Sequence, residues 1–290
     1  MRRQNLPYPV MRTVVKYGLR PGLGGPLSVA AQRRYLDRMA SAIPLPSDIT
    51  ADQITLGGRP ALRITAPNAD TQRAIVHLHG GAYTVGSPLS YQGFGANLAR
   101  LTGHPIYLPD YRLAPEDPYP AGLDDAVAAV REVAGEHASY SLGGDSAGGG
   151  LALATTHRLI DEAGPAPARL GLIAPWVDLT DDLPDRRSDI VVRRAWGLQS
   201  AEAYVGDRDP GEPGISPIFA DKSALPPTLV QVGRREVLHS QVLRWVELAR
   251  ADGADVQLVE FDRLWHVAHL HADFFAEAYG ALAQYAAFLR

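Results

Sequence analysis

Gly144-Asp145-Ser146-Ala147-Gly148 spells G-x-S-x-G, the spacing that lets a serine act as a nucleophile. A predicted strand precedes it and an Ala/Leu-rich helix follows. A serine in such a sharp turn takes strained dihedrals, and small flanking residues let the chain approach itself while Oγ stands clear of the sheet edge. The amide of Ala147 then opens the helix, where free N–H groups and the helix dipole favour negative charge. The bland alternative is a Gly-rich turn whose serine only caps the helix. A second glycine stretch counts against that reading. His79-Gly80-Gly81-Ala82 follows the strand candidate Ala74–Leu78, and such a turn can aim backbone amides into a cleft. Each donor preorganised toward a developing oxyanion is worth about 3–4 kcal/mol. A glycine loop followed by a nucleophile turn, in that order, points to acyl transfer.

Three motifs carry a family resemblance. They are His79-Gly80-Gly81-Ala82-Tyr83, Tyr111-Arg112-Leu113-Ala114-Pro115-Glu116 and Gly144-Asp145-Ser146-Ala147-Gly148-Gly149. Pro118-Tyr119-Pro120-Ala121 and Pro175-Trp176-Val177-Asp178-Leu179-Thr180 add lesser matches. Over residues 54–275 the chain resembles the bacterial hormone-sensitive-lipase-like branch of the α/β-hydrolases. The resemblance implies a carboxylesterase with a cap built from the N-terminal segment and an insertion. It also implies oxyanion donors at Gly81, Ala82 and Ala147, with Gly80 in the same oxyanion loop, shaping its turn. Ala82 stands where a third glycine is usual, and it is expected at φ below zero, since a positive φ would carry strain. Gly150 replaces a frequent asparagine, and we have no physical account of that change.

In this superfamily an acid and then a histidine follow the serine. The later histidines are His157, His239, His266, His269 and His271. His157 falls in the helix after the turn, too close to fold back on Ser146. His266 lies just past the last strand candidate, Val256–Phe261, and Leu264-Trp265-His266-Val267 resembles the family's histidine loop. His269 and His271 are expected at the entry to the last helix. No acid spacing beside them fits a zinc enzyme and no cysteine helps, so no metal is expected. The acid should follow the strand Thr228–Val232, where Gly233-Arg234-Arg235-Glu236 supplies Glu236. It would accept from His266 Nδ1 and fix the tautomer. Asp262 is the rival, nearer to His266 in sequence but at a strand end.

The elements that must hold these residues alternate. A hairpin signal, Ile54–Leu56 and Ala61–Thr65 around Gly57-Gly58-Arg59-Pro60, comes first. Strand candidates follow at Arg73–His79, Pro105–Pro109, Ser139–Leu142, Leu170–Ala174, Thr228–Val232 and Val256–Phe261. Helix candidates intervene at Leu89–Leu101, Ala121–Val133, Ala147–Glu162 and Glu236–Ala251, and Ala272–Leu289 closes the chain. This rhythm predicts an α/β fold: a mostly parallel eight-stranded sheet, helices on both faces and a small helical cap. Ser28–Ala42 reads as a capped helix in a Pro/Gly-rich start. The expected division is an N-terminal cap segment over 1–50, a core over 51–180 and 221–290, and a cap insertion over 181–220. That insertion holds Pro184, Pro210, Pro213 and Pro217 and a charged run, Asp181–Arg194.

The 290 residues carry 28 Lys+Arg against 32 Asp+Glu, a net charge of −4 without a nucleic-acid footprint. A 46% hydrophobic share is enough for a substantial core. No apolar run is long enough to span a membrane. The basic start Met1-Arg2-Arg3 is followed by Pro7, Pro9 and Arg12 rather than by a leader's apolar stretch, so a cytoplasmic protein is expected. With no cysteine, thiolate chemistry is excluded.

The expected activity is cofactor-free hydrolysis of small to medium acyl esters through Ser146, His266 and Glu236. The rate should rise with pH through an imidazole pKa of about 6.5. Tyr83, Trp196 and Tyr204 are the pocket candidates. Asp145, Arg112, Glu116 and Asp178 read as loop anchors, with Arg112 and Glu116 holding the Tyr111–Glu116 loop. The rivals are an amidase or deacetylase on the same residues and a non-catalytic ligand binder. A lipase working at lipid surfaces is disfavoured by the charged Asp181–Arg194 run. The expected partner is a small ester, with no nucleic acid and no membrane insertion. Val256–Phe261, as an exposed edge, offers a route to a homodimer.

Overall fold

The computed structural model describes residues 5–290, so the basic start Met1-Arg2-Arg3 lies outside them. Helix α1 (Tyr8–Val14) was not expected from a proline-rich segment. Pro7 and Pro9 occupy its cap and first turn, where a missing N–H costs nothing. It runs on through a π turn, Val15–Leu19, and a 3₁₀ turn, Arg20–Gly22. Helix α2 (Val29–Ser41) starts where Ser28 Oγ accepts from the Ala31 amide at 3.3 Å.

Strands β1 (Thr50–Leu56) and β2 (Arg59–Thr65) form the expected hairpin. Its two-residue turn is Gly57-Gly58, at φ 59° and 77°, values that glycine takes without strain. From there strands and helices alternate: β3 (Arg73–Leu78), α3 (Gln92–Thr102), β4 (Ile106–Pro109), α4 (Ala121–Glu136), β5 (Ser139–Asp145), α5 (Ala147–Asp161) and β6 (Leu170–Ile173). The long segment between β6 and the next strand contains α6 (Arg194–Val205). Then come β7 (Thr228–Gly233), α7 (His239–Ala251), β8 (Val256–Phe261) and α8 (Ala276–Leu289).

These strands make one eight-stranded sheet in the order β1-β2-β4-β3-β5-β6-β7-β8. β2 alone runs against the rest, pairing antiparallel with β1 on one side and β4 on the other. Neighbouring residues of the central strands feed opposite faces. Val76, Leu142 and Val230 pack into the larger core with α4, α5 and α7. Ile75, Ile173 and Leu229 pack into the other core, with Phe94 and Leu98 of α3 and Leu282 and Tyr285 of α8. Burial on both faces explains why these strands read as short stretches of apolar and small residues rather than as a polar/apolar alternation. β8 closes the sheet at one edge and is mostly only half-buried.

Candidate active site

The nucleophile turn is built by contacts too close for any side chain. A Cβ on Gly144 would sit 2.1 Å from the Gly148 carbonyl, and one on Gly148 would sit 2.1 Å from the carbonyl of Leu78. Both neighbours are backbone and cannot yield, so the two glycines let α5 leave β5 sharply. Ser146 between them takes φ 53° and ψ −122°. A non-glycine residue there stores strain, which the surrounding sheet and helix hold in place.

Three side chains from distant parts of the chain converge on this turn. His266, on the loop after β8, places Nε2 2.9 Å from Ser146 Oγ. Its Nδ1 lies 2.6 Å from Glu236 Oε2. All three residues are buried. A carboxylate at Nδ1 holds the ring proton there, leaving Nε2 to accept from the serine hydroxyl. The other carboxylate oxygen of Glu236 accepts from the Gly233 amide at 2.6 Å. Asp262 is elsewhere, exposed and paired with Arg234 at 3.1 Å.

The electrostatics follow from this burial. Burial by itself pushes the His266 imidazole down. The bond to Glu236 and the charges of Glu236, Asp189 and Asp145 outweigh it, so His266 titrates above its ordinary value. Burial pushes the Glu236 carboxyl up, and Asp189 adds to this, against the opposing pull of His266 and the Gly233 amide. The other late histidines differ. Burial drives His269 down to about 3 and His271 to about 4, both in the 3₁₀ turn Ala268–His271 rather than in the last helix. His269 Nε2 meets Gln231 Oε1 at 2.7 Å. His157 lies inside α5, lowered to about 4 by burial.

The glycine loop after β3 faces Ser146. The Gly80 amide is spent within the protein, donating to Tyr91 OH at 2.9 Å and to Asp145 Oδ1 at 3.1 Å. Gly80 therefore shapes the loop and offers no free donor. The amides of Gly81, Ala82 and Ala147 have no acceptor among the described residues. Ala82 departs from expectation, with φ 53°, and Tyr83 follows at 60°. The chain has to turn back here, because the Thr84 and Val85 amides both donate to the Gly81 carbonyl, at 3.0 and 2.9 Å. Left-handed conformations cost about 1–2 kcal/mol per residue. Burial of both side chains offsets that strain: Tyr83 stacks on Tyr204 with ring centroids 3.7 Å apart.

Asp145 joins the two loops. It accepts from Tyr91 OH at 2.7 Å and from the Gly80 amide, and it meets His77 Nε2 at 3.0 Å. The expected loop anchors have partners outside their own loop. Arg112 grips Asp125 of α4 through two nitrogens, at 2.9 and 2.8 Å, and Glu116 pairs with Arg33 of α2 at 2.7 Å. Asp178 accepts from the Thr180 amide at 2.9 Å and pairs with Arg244.

A cavity of about 460 Å³ opens above Ser146 and His266. Its walls are mostly apolar: Met11, Val15 and Leu36 from the N-terminal segment, Val191 and Trp196 from the segment between β6 and β7. Of the three aromatic candidates only Trp196 lines it. Tyr83 and Tyr204 spend their faces on each other, behind the wall.

Two features escaped the sequence reading. One is a detail of the N-terminal wall: the cap segment was expected, but not that it sets Met11 and Val15, one turn apart, in the cavity wall. The other is Asp189, lost in the run Asp181–Arg194 that looked solvated. Asp189 is buried. It accepts from the amides of Val191 and Val192 at 2.8 and 2.9 Å and from the Val237 amide at 3.0 Å.

The family model described as the alpha/beta hydrolase fold matches residues 75–270. An acetyl-hydrolase of Streptomyces hygroscopicus is 35% identical, with 90% of each chain covered. An esterase of Acinetobacter venetianus is 32% identical over 90% of this chain and 89% of its own. The crystal structure of an esterase from the bacterial hormone-sensitive lipase family superposes with a TM-score of 0.91 at 32% identity, covering 98% of this chain and 97% of that one. The chain belongs to the α/β-hydrolase family, in its bacterial hormone-sensitive-lipase branch.

Proposed function

We propose that the protein hydrolyses carboxylic esters of small to medium acyl groups through an acyl-enzyme on Ser146. The observation that carries this reading is the buried relay Glu236–His266–Ser146, which ends beneath an apolar cavity beside three unengaged amides. The naming of the similar proteins as esterase and acetyl-hydrolase supports the ester as substrate.

In this mechanism Ser146 Oγ attacks the ester carbonyl while its proton passes to His266 Nε2. The charge that develops on the carbonyl oxygen is met by the amides of Gly81, Ala82 and Ala147. Glu236 stabilises the imidazolium without taking the proton. The carbon–oxygen bond breaks, and the alcohol leaves with the proton from Nε2. Water then attacks the acyl-enzyme by the same route in reverse roles. The N-terminal segment and the insertion act as the cap that shapes the acyl site.

The test is hydrolysis of p-nitrophenyl esters from acetyl to long acyl chains by wild type and Ser146→Ala. The reading expects turnover that the variant loses, with an optimum set by cavity size. A folded wild type inactive on every chain length would overturn it.

A further inference from the structure

Charge is unevenly divided along this chain. The first 45 residues hold eight Arg and Lys against the lone Asp37, a net of +7, so the remainder carries −11. Such asymmetry is a signature of binding to an anionic partner. In the structure Arg33 is taken by Glu116, but Arg12, Lys16, Arg20, Arg34 and Arg38 have no carboxylate partner among the described residues.

The same segment exposes apolar side chains. Val10, Val14 and Tyr17 recur about one turn apart along α1 and the π turn, and Tyr17 is 67% exposed. Met39 of α2 and Ile43 just after it are exposed too. Val14, Met39 and Ile43 also line the cavity above Ser146, so they are its rim. The inward residues Met11 and Val15 are buried against the core. A solvent face that pairs apolar side chains with free cations, at the mouth of an apolar cavity, has the make-up of a surface that rests on lipid.

We propose that this N-terminal face docks on anionic lipid surfaces, with its apolar side chains at the headgroup boundary and the cavity mouth turned toward the lipid. Charge selects this occupant. A second copy presenting the same face would set those five cations against five more, whereas an anionic leaflet attracts each Lys and Arg near its surface. Docking is peripheral, because no helix among the described residues is long and apolar enough to cross a membrane.

The test is co-sedimentation at low salt with vesicles of equal parts phosphatidylglycerol and phosphatidylcholine, and with phosphatidylcholine alone. Wild type should partition onto the anionic vesicles and much less onto neutral ones. The triple variant Lys16→Glu, Arg34→Glu, Arg38→Glu should lose at least about tenfold in partitioning. Val10→Ser with Tyr17→Ser should weaken it as well. Both variants keep wild-type hydrolysis of soluble p-nitrophenyl butyrate, which shows that they fold. Equal partitioning of wild type and the triple variant, or equal partitioning onto both vesicle types, would overturn the proposal. So would a wild-type dimer in solution that the Tyr17 variant dissociates, since a second copy would then cover the face. Sedimentation needs no turnover, so it stands or falls apart from the serine mechanism.

Discussion

The Val237 amide donates to Asp189 Oδ2 at 3.0 Å, tying the segment between β6 and β7 to the residue next to Glu236. The other oxygen of the same carboxylate holds the amides of Val191 and Val192, and Val191 is a cavity wall residue. Ser188 Oγ donates to the Arg235 carbonyl at 3.1 Å, and Arg186 donates to the Arg234 carbonyl at 3.1 Å. The loop that carries Glu236 and the cavity wall at Val191 are therefore anchored on one buried side chain. Asp189→Ala leaves three buried N–H groups without an acceptor, each worth about 1–3 kcal/mol. The expected outcome is a marked fall in melting temperature and a loss in kcat. Asp189→Asn keeps the Oδ1 contacts and should recover part of both.

In the proposed mechanism the pH profile follows from His266. The base works when neutral, and Glu236, Asp189 and Asp145 hold it protonated to higher pH than an ordinary imidazole. The rise of kcat/KM should therefore be centred above pH 6.5, the ordinary value of about 6.5 marking where a free imidazole would titrate. Asp189→Asn removes one of the negative charges and should move the rise to lower pH. A profile centred at or below the ordinary value would count against this account of the site.

Glu236→Gln keeps the shape of the side chain but gives up the charge that steadies the imidazolium. Loss of the comparable carboxylate in a serine triad costs about 10⁴ in kcat. A drop of that order with KM little changed is expected from steady-state kinetics on a p-nitrophenyl ester. Near-normal turnover would return the role to another acid.

Ala82 offers a test in the opposite direction. Glycine at φ 53° escapes the left-handed penalty but gains freedom in the unfolded chain, so Ala82→Gly should stabilise by at most about 1 kcal/mol. Thermal unfolding reads this, and turnover should persist because the donor is a backbone amide. Gly148→Ala is the contrasting case, with its Cβ driven against the Leu78 carbonyl. Overpacking of this kind costs about 1–3 kcal/mol, and here it also displaces the turn that carries Ser146. Activity and melting temperature should both fall.

Much of this architecture was legible because one physical constraint repeats in it. A strand buried on both faces favours apolar or small residues on both, so β3, β5 and β7 stand out as short runs with few charges, and the turns after them carry Gly80, Ser146 and Glu236. The hairpin was legible because Gly57-Gly58 has little other use between two strands. What stayed hidden depends on tertiary context. Charged residues usually mean solvent, and nothing local separates the buried Asp189 from its exposed neighbours. Prolines usually break helices, and only their place in the first turn makes Pro7 and Pro9 compatible with α1. The positive φ of Ala82 comes from the return of Thr84 and Val85 to one carbonyl, a closure that no residue type announces. Tyr83 and Tyr204 were placed at the cavity for being aromatic, but aromatic faces also satisfy each other, and here they do.

The order of the strands has a consequence for synthesis. Ser146 and His266 are 120 residues apart, and β8, which delivers His266, pairs only with β7 at the sheet's edge. A chain still emerging from the ribosome holds Ser146 while its histidine is yet to be made, and α8, which covers one face of the central strands, follows later still. The bond between Ser146 and His266 therefore cannot form until the last strand to join the sheet has been made.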